Sequence, residues 1–440
     1  MKKISKNILS VITFSSVLLI SLVGCEKNNN YKFSPQLNTD EKLTLNILGY
    51  FGNFEALDAV TNDFNKYYPN ISFNYQQVSG NNLVAFLDSN FQTDIFMTSS
   101  DTISSANLID YCLDLSTVNL NLNDVDQTML TTSYKGNFLH SLPIGQNIYG
   151  IITNVTLLKK EGLDIPKNYD EFINTLNTLK TKGYVPLQSS STKIYPELTI
   201  NMMVNTIQED NELYNDLING NLKSYSKIEN IFNIVSNIQN NEYSLDEVNN
   251  LYPFDNYNDA ILRFFEGNVP FWVCNSEKVS GMKKRETKSE TFKANPFEYT
   301  YIYAPLGDKG SYVYHEPWYG LGISKRSPSI EYAKEFMRFY ATKDELNKMA
   351  STKGVPSIAK EKYNSDIYKY IDNPEAIETN CIYDGKVTQK DFDAWYTCIN
   401  SFATKKLSKE EAIKSFITTF SNSHKSVSYT HLTLPTKLEV

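Results

Sequence analysis

Apolar and polar positions alternate with a period of two at Leu43, Leu45 and Ile47, which predicts a strand with one face in a core. The run Gly49-Tyr50-Phe51-Gly52-Asn53 breaks that pattern. Leu57, Val60, Phe64 and Tyr68 then recur at helical spacing, ahead of a stop at Pro69. Ile71, Phe73 and Tyr75 predict a second strand, Leu83, Phe86 and Leu87 a short helix, and Asp94 to Met97 a third strand. Strands alternating with helices of this length imply an α/β unit with a largely parallel sheet. Ligands of such sheets meet the loops beyond the carboxyl ends of strands, which makes Tyr50, Phe51, Ser99, Ser100 and Asp101 candidate positions.

Further along, Leu142 to Asn154 reads as strand interrupted by Pro143, Gly145 and Gly150, as where a chain crosses between two bodies. Asn168 and Glu171 have capping-box spacing ahead of Phe172, Leu176 and Leu179, and Gly183 marks that helix's end. Ile200 to Leu262 is helical in pattern and rich in Asn. A turn at Phe264 to Gly267 leads into an aromatic strand at Val269 to Trp272. Trp318 to Ser324 is again strand-like, with Ser327 and Pro328 expected to start a helix carrying Ala333, Phe336, Met337 and Tyr340. Ser408 and Glu411 cap a last helix with Ile413, Phe416, Ile417 and Phe420 on its apolar face.

The first residues change the picture. Met1, Lys2, Lys3 and Lys6 form a positive start, an apolar run follows from Ile8 to Leu22, and Leu22-Val23-Gly24-Cys25 closes it. This is a targeting signal rather than a structural helix. The closing residues resemble a bacterial lipobox, which implies cleavage before Cys25 and lipidation of its thiol. Each buried methylene of such an anchor contributes about 0.8 kcal/mol, so two or more acyl chains hold a protein at a membrane without a spanning helix. Residues 26–40 are polar and Asn-rich, as in a flexible tether. The terminal segment 428–440 shows no periodic pattern and resembles translated adapter sequence; it reads as non-native, and its His431 is excluded from any site.

Composition narrows the possibilities. A chain of 440 residues is long enough for two cores. A formal net charge of -8, with no basic run of useful size after Lys6, argues against nucleic acid as partner. Cys112, Cys274, Cys381 and Cys398 form no CxxC pair, and the chain has four His, so metal-ligand spacing is absent and no cofactor is implied. A Cys381–Cys398 disulfide and isolated buried thiols both remain open. There is no GxxxxGK[ST] phosphate loop, GxSxG elbow or HExxH helix.

Four local patterns, in order, carry a resemblance: the strand and helix ending in Tyr68-Pro69-Asn70-Ile71; Leu142-Pro143 through Tyr149-Gly150 and Asn154 into Gly162-Leu163 and the Pro166 to Phe172 helix start; Phe265-Glu266-Gly267 leading to Trp272; and Gly320 to Ser324 with Ala333-Lys334-Glu335-Phe336 and Gly354-Val355-Pro356. Beside the lipobox, they resemble the extracellular solute-binding proteins of ATP-driven carbohydrate importers, including maltose-type binding proteins. The resemblance implies an α/β, two-lobed periplasmic-binding-protein-like fold with an interlobe ligand cleft and multiple hinge crossovers. By that analogy 41–147 and 298–356 form one lobe, 148–297 and 357–427 the other, and the chain crosses near Gln146, before Tyr301 and near Pro356. It also implies a monomer at the outer face of the cell membrane, delivering a sugar to membrane permease subunits, without catalysis.

A sugar presents hydroxyl edges around weakly apolar faces, so its site needs convergent polar groups and an aromatic plane. Trp272 follows a strand signal in a family region that often supplies a stacking residue. Trp395 falls in the part resembling the maltose-type stacking region. Trp318 has Tyr319 and Glu316 beside it in a loop the fold places near the hinge. Asp101, Asn275, Glu316 and Gln146 are the polar candidates, with Asn53 better read as a helix cap; Tyr50 and Phe51 are further aromatic candidates. A carboxylate can accept paired hydroxyls without acid–base work. Two other functional classes remain: a surface sensory or adhesion glycan-binding protein, and a glycosidase using two carboxylates.

Overall fold

The computed structural model describes residues 32–79, 82–89, 92–99, 108–189, 194–221, 225–244, 257–362, 366–371, 373–382 and 384–428, and everything below concerns the unit Phe33–Val440. Cys25 with the signal, Ser100, Asp101 and the segment 429–440 lie outside the described residues.

The strands are, in chain order, β1 (Leu43–Gly49), β2 (Ile71–Gln77), β3 (Ile95–Thr98), β4 (Tyr134–Lys135), β5 (Phe138–Leu139), β6 (Leu142–Pro143), β7 (Gln146–Asn147), β8 (Tyr149–Asn154), β9 (Leu187–Ser189), β10 (Phe271–Asn275), β11 (Tyr299–Ile302), β12 (Ser311–Pro317), β13 (Gly320–Ile323) and β14 (Ile377–Ile382). Two larger sheets organise them, a five-stranded one in the order β2-β1-β3-β13-β6 and a four-stranded one in the order β11-β8-β10-β9. β14-β12-β7 form a three-stranded sheet and β4-β5 a short ladder.

In the first sheet the alternation of β1 works as expected. β1 pairs in parallel with β2, Leu43 opposite Ile71 through Gly49 opposite Gln77, and with β3 at Ile47 opposite Ile95. Leu45 and Ile47 join a core with Leu57, Val60 and Phe64 from the helix Glu55–Phe64 and with Phe336 and Met337 from the helix Ile330–Tyr340. Leu48 and Phe96 point to the opposite face, into a smaller cluster with Leu83, Leu87 and Cys112.

The four-stranded sheet is buried on both faces, and its register decides which residue goes where. Ile151, Phe271 and Val273 pack into a core with Phe232, Trp395 and Phe416. Their neighbours Ile152, Trp272 and Cys274 pack into another with Phe264, Tyr301 and Tyr368. Period-two geometry enforces this division.

Several expectations need correction. The stretch from Tyr299 to Tyr314, assigned above to the first lobe, packs with the four-stranded sheet, because β11 hydrogen-bonds antiparallel to β8 from Tyr299 opposite Asn154 to Ile302 opposite Ile151. The tether's far end is docked rather than free. Phe33 is 6% exposed and edge-on to Phe339 at 5.0 Å, the Arg338 guanidinium lies over its ring, and Arg338 donates to the Ser34 carbonyl. The helix expected from Pro328 starts at Ile330; the Ser327 hydroxyl donates to Asp94 and accepts from the Ser329 amide in the turn before it.

The helices at Tyr169–Thr181 and Lys409–Ser428 begin as their caps foretold. Asn168 Oδ1 accepts from the Glu171 amide at 3.0 Å, and the Ser408 amide donates to Glu411 at 2.8 Å. Asn53 is not a cap; Phe54 occupies that position, and the Asn53 amide donates to Glu55. Cys112, Cys274, Cys381 and Cys398 are free and buried, which removes the disulfide. Among the described residues no helix is long and apolar enough to cross a membrane.

Candidate functional site

Three chain segments meet beside the ends of the two larger sheets. β7 pairs antiparallel with the end of β12, Asn147 opposite Glu316 and Gln146 opposite Pro317. The Gln146 amide donates to the Pro356 carbonyl at 2.9 Å, and the Trp318 amide to the Gly145 carbonyl at 2.8 Å. Gly145 is required there, because a Cβ on it would stand 2.4 Å from a Val355 methyl. Gln146, expected to touch ligand, is used up in this junction. Its Nε2 donates to the Ser357 carbonyl at 2.7 Å, and its Oε1 faces His315 Nδ1 at 3.1 Å.

Next to the junction lies a cavity of about 330 Å³, within the range of small-molecule sites. The first sheet supplies Thr98, Ser99, Pro143 and Gly320 to its wall, the four-stranded sheet supplies Tyr149 and Asn275, and the three-stranded sheet supplies Asn147 and Glu316. Trp318, Tyr319, His140, Ser141, Glu277 and Gln389 complete its chemistry.

One side is aromatic. Trp318, 8% exposed, and Tyr319 stand with ring centroids 4.9 Å apart. Phe51 packs against Trp318 at 5.3 Å and Tyr50 against Tyr319 at 5.4 Å, so Tyr50 and Phe51 support this edge-to-face pair instead of lining the cavity.

The polar side centres on Asn147 and Glu316. Asn147 Nδ2 donates to Glu316 Oε1 at 2.5 Å and to the Tyr149 hydroxyl at 3.3 Å, while the Tyr314 hydroxyl donates to Glu316 Oε2 at 3.1 Å. That orientation leaves Asn147 Oδ1 buried with no hydrogen-bond partner, and Asn275 Oδ1 is likewise without one. A buried acceptor left unmade costs roughly 1–3 kcal/mol, so both oxygens call for donors.

Protonation states follow from burial. Burial holds Tyr149 well above the ordinary phenol range, and the carboxylates of Glu316, Glu197 and Glu277 push it the same way, so its hydroxyl keeps its proton. Burial pulls His140 down to about 4, which keeps it neutral at physiological pH. The wall thus offers neutral hydroxyls and carboxylates beside two aromatic rings. Among the described residues no group of three or more His, Cys, Asp and Glu could hold a metal ion.

Of the residues singled out by sequence, the structure brings together Ser99, Asn275, Glu316, Trp318 and Tyr319. Trp395 is fully buried, its indole N–H donating to Thr199, edge-on to Phe416 in the core. Trp272 is in the core on the far face of β10, against Phe264, and its indole N–H finds no partner there. Neither lines the cavity. Sequence reasoning missed Asn147, Tyr149, Glu277 and His140. Asn147 and Tyr149 fall inside the quoted crossing motif, and the signal available was polar residues flanking a chain crossover; Glu277 lies two residues past Asn275, and nothing marked His140.

Residues 59–378 match the family model described as bacterial extracellular solute-binding protein. Among solved structures, the chain is similar to a sugar transporter from Bacillus licheniformis in complex with stachyose, at 19% identity and TM-score 0.63, over 86% of this chain and 100% of that one. It is also similar to the binding protein RafE in complex with raffinose, at 15% and 0.67, over 87% and 99%, and to a binding protein of an ABC transporter from Bifidobacterium animalis subsp. lactis in complex with mannobiose, at 15% and 0.63, over 88% and 96%. At these identities the likeness is one of fold, an α/β periplasmic-binding-protein-like architecture. No curated protein sequence gives a significant match.

Proposed function

Because this chain belongs to the bacterial extracellular solute-binding proteins, we propose that it captures a sugar or oligosaccharide in the cavity beside Trp318 and presents it to the permease of an ATP-driven importer. The role is binding, not turnover. The observation that carries the sugar reading is a cavity that sets the Trp318 and Tyr319 rings beside the hydroxyls of Thr98, Ser99 and Ser141 and the carboxylate of Glu316, apolar faces next to groups that hydrogen-bond sugar hydroxyls. The stachyose, raffinose and mannobiose bound by the similar structures support the same class.

In this reading two lobes close on the ligand. The separate cores suggest their extents as 33–144 with 318–359, and 148–314 with 367–428, joined at the junction of Gln146, Trp318 and Ser357. Closure removes water from both walls at once, and the permease recognises the closed state in preference to the open one. A lipid on Cys25 keeps the monomeric protein at the outer face of the membrane.

A thermal-shift screen of neutral mono- and oligosaccharides, followed by calorimetry, tests this. A ligand at about 100 times its Kd adds roughly 2.7 kcal/mol of apparent stability. Stabilisation by at least one sugar, recovered chemically unchanged, is expected; product release, or no response to any sugar, contradicts it.

A further inference from the structure

Beside Trp318, outside the cavity wall, stands a cation. Lys353 ends the helix Lys343–Lys353, which belongs to the core of the first sheet through Leu346, Met349 and Ala350. Its ammonium lies 3.9 Å from the centre of the Phe51 ring and 5.2 Å from that of Trp318. Both distances are within reach of cation–π attraction, which strengthens as the cation loses water. Burial pulls the Lys353 pKa down, and the carboxylates of Glu277 and Glu55 oppose that pull by favouring the charged form. The backbone turns here against the other body. Gly354 closes the helix at φ +78°, a Cβ on it would stand 3.0 Å from Ser280 Cα, and the Tyr368 hydroxyl donates to its carbonyl at 2.8 Å.

The two carboxylates come from different bodies. Glu55 opens the helix Glu55–Phe64 of the first core. Glu277 lies in the helix Ser276–Val279 that follows β10, where Val279 joins the core of Phe264 and Tyr301, and it lines the cavity. From that second body Lys284 reaches back to Glu55 at 3.0 Å. Each body thus sets one cation and one carboxylate at the seam, and each cation faces the other body's carboxylate. The neighbouring cations are engaged within their own body: Lys283 pairs with Glu286 at 2.9 Å, Arg285 donates to the Gly281 carbonyl at 3.3 Å, and Lys278 acts on Cys274. The Glu55–Lys284 pair is exposed, and such pairs contribute little. Lys353 is the member of the pattern that also touches the aromatic rings of the site.

We propose that Lys353 is a positioning residue of the site: its ammonium holds the Phe51–Trp318 pair of one body and is drawn to Glu277 of the other, so that the ring the guest meets is set in place as the two bodies close. The proposal rests on the sugar reading above and adds what couples the aromatic contact to closure. Lys353 acts through Trp318 and Glu277, since it does not itself line the cavity.

The test uses the mature protein and the sugar that gives the largest thermal shift in a panel of cellobiose, maltotriose, raffinose and mannobiose. By calorimetry, Lys353→Met, which keeps an unbranched apolar stem and removes the charge, should weaken binding about tenfold. Lys353→Arg should recover most of that loss, because a guanidinium also stacks on aromatic faces. Glu277→Gln should cost less affinity in the Lys353→Met protein than in wild type, as coupled groups do. Without sugar, Lys353→Met should shift the intrinsic emission wavelength, Lys353→Arg should restore it, and the shift should be absent in a Trp318→Phe background. Unchanged affinity in Lys353→Met, or lost affinity with unchanged Trp318 emission, overturns the positioning role while leaving sugar capture standing. Additive costs of Lys353→Met and Glu277→Gln overturn the link across the seam. No binding by any sugar of the panel, joined to a silent wider screen, overturns sugar capture and this proposal with it.

Discussion

Trp272 follows the Gly267 turn and Trp318 precedes the glycines of β13, and both sit in strand-like sequence, yet they end in opposite environments. Trp272 lies in the middle of β10, in a sheet covered on both faces, where alternation sends it into the core with Phe264. Trp318 lies between β12 and β13, where the chain passes from one core to the other, and there its ring meets the cavity. Residue type is the same in the two places. What separates them is whether the strand continues past the residue with partners on both sides, or ends at a junction. Large aromatic side chains fill either role, and only the second exposes a face to a guest.

The strongest way to break this contrast is to truncate the core member. Trp272→Ala should lower unfolding stability by about 3–5 kcal/mol, measured by denaturant titration, while any remaining folded fraction keeps its ligand affinity. Trp272→Phe should cost much less, since the lost indole N–H has no hydrogen bond to surrender. A Trp272→Ala protein of near-native stability and failed binding would place the residue in the site after all.

Trp318→Ala should do the reverse. Affinity for the best sugar should fall about 10- to 100-fold, or roughly 1.4–2.7 kcal/mol by calorimetry, with the midpoint of unfolding moved less than by Trp272→Ala. A large loss of stability at unchanged affinity would assign Trp318 to the packing of Phe51 and Tyr319 alone.

Buried polar groups sharpen the same contrast. Asn147, beside the cavity, and Glu345, behind the first sheet, each hold a buried side-chain oxygen without a hydrogen-bond partner, but only Glu345 can ionise. Burial raises Glu345 to about 7, with Asp344 pushing the same way and Lys66 opposing; Lys348 also stands 3.4 Å from it. Its folded pKa lies above the unfolded value of about 4.3, so the native state binds more protons between the two, and stability falls as pH rises from about 4.5 through 7. Glu345→Gln should therefore raise stability by about 1–2 kcal/mol at pH 8 and leave it unaltered near pH 4, in thermal melts across that range. An equal gain at both pH values would remove ionisation from the explanation.

These contrasts mark where sequence is legible and where it is not. Alternation in β1 and the caps at Asn168 and Ser408 act over a few residues, and local pattern found them. The packing of Tyr299 to Tyr314 depends on an antiparallel pairing with β8, about 150 residues earlier in the chain, which no local pattern encodes. The same holds in the site. Glu316, Trp318 and Tyr319 share the cavity wall, and sequence could group them because a crossing concentrates polar and aromatic residues in one short loop. Gln146, grouped with them by sequence, ties the junction instead, since a junction needs a side chain to hold its own crossing segments as much as a ligand does. Trp395 could be separated from Trp318 only by the Phe416 and Thr199 contacts that enclose it.

The chain contains three tryptophans, so intrinsic fluorescence can say which of them meets the guest. Titration of the best sugar into wild type, Trp272→Phe, Trp318→Phe and Trp395→Phe tests the account most directly. The expected result is a ligand-induced emission change that survives in the Trp272 and Trp395 variants and vanishes in Trp318→Phe. A change that persists in Trp318→Phe and disappears with Trp272 or Trp395 would contradict the placement of the site beside Trp318.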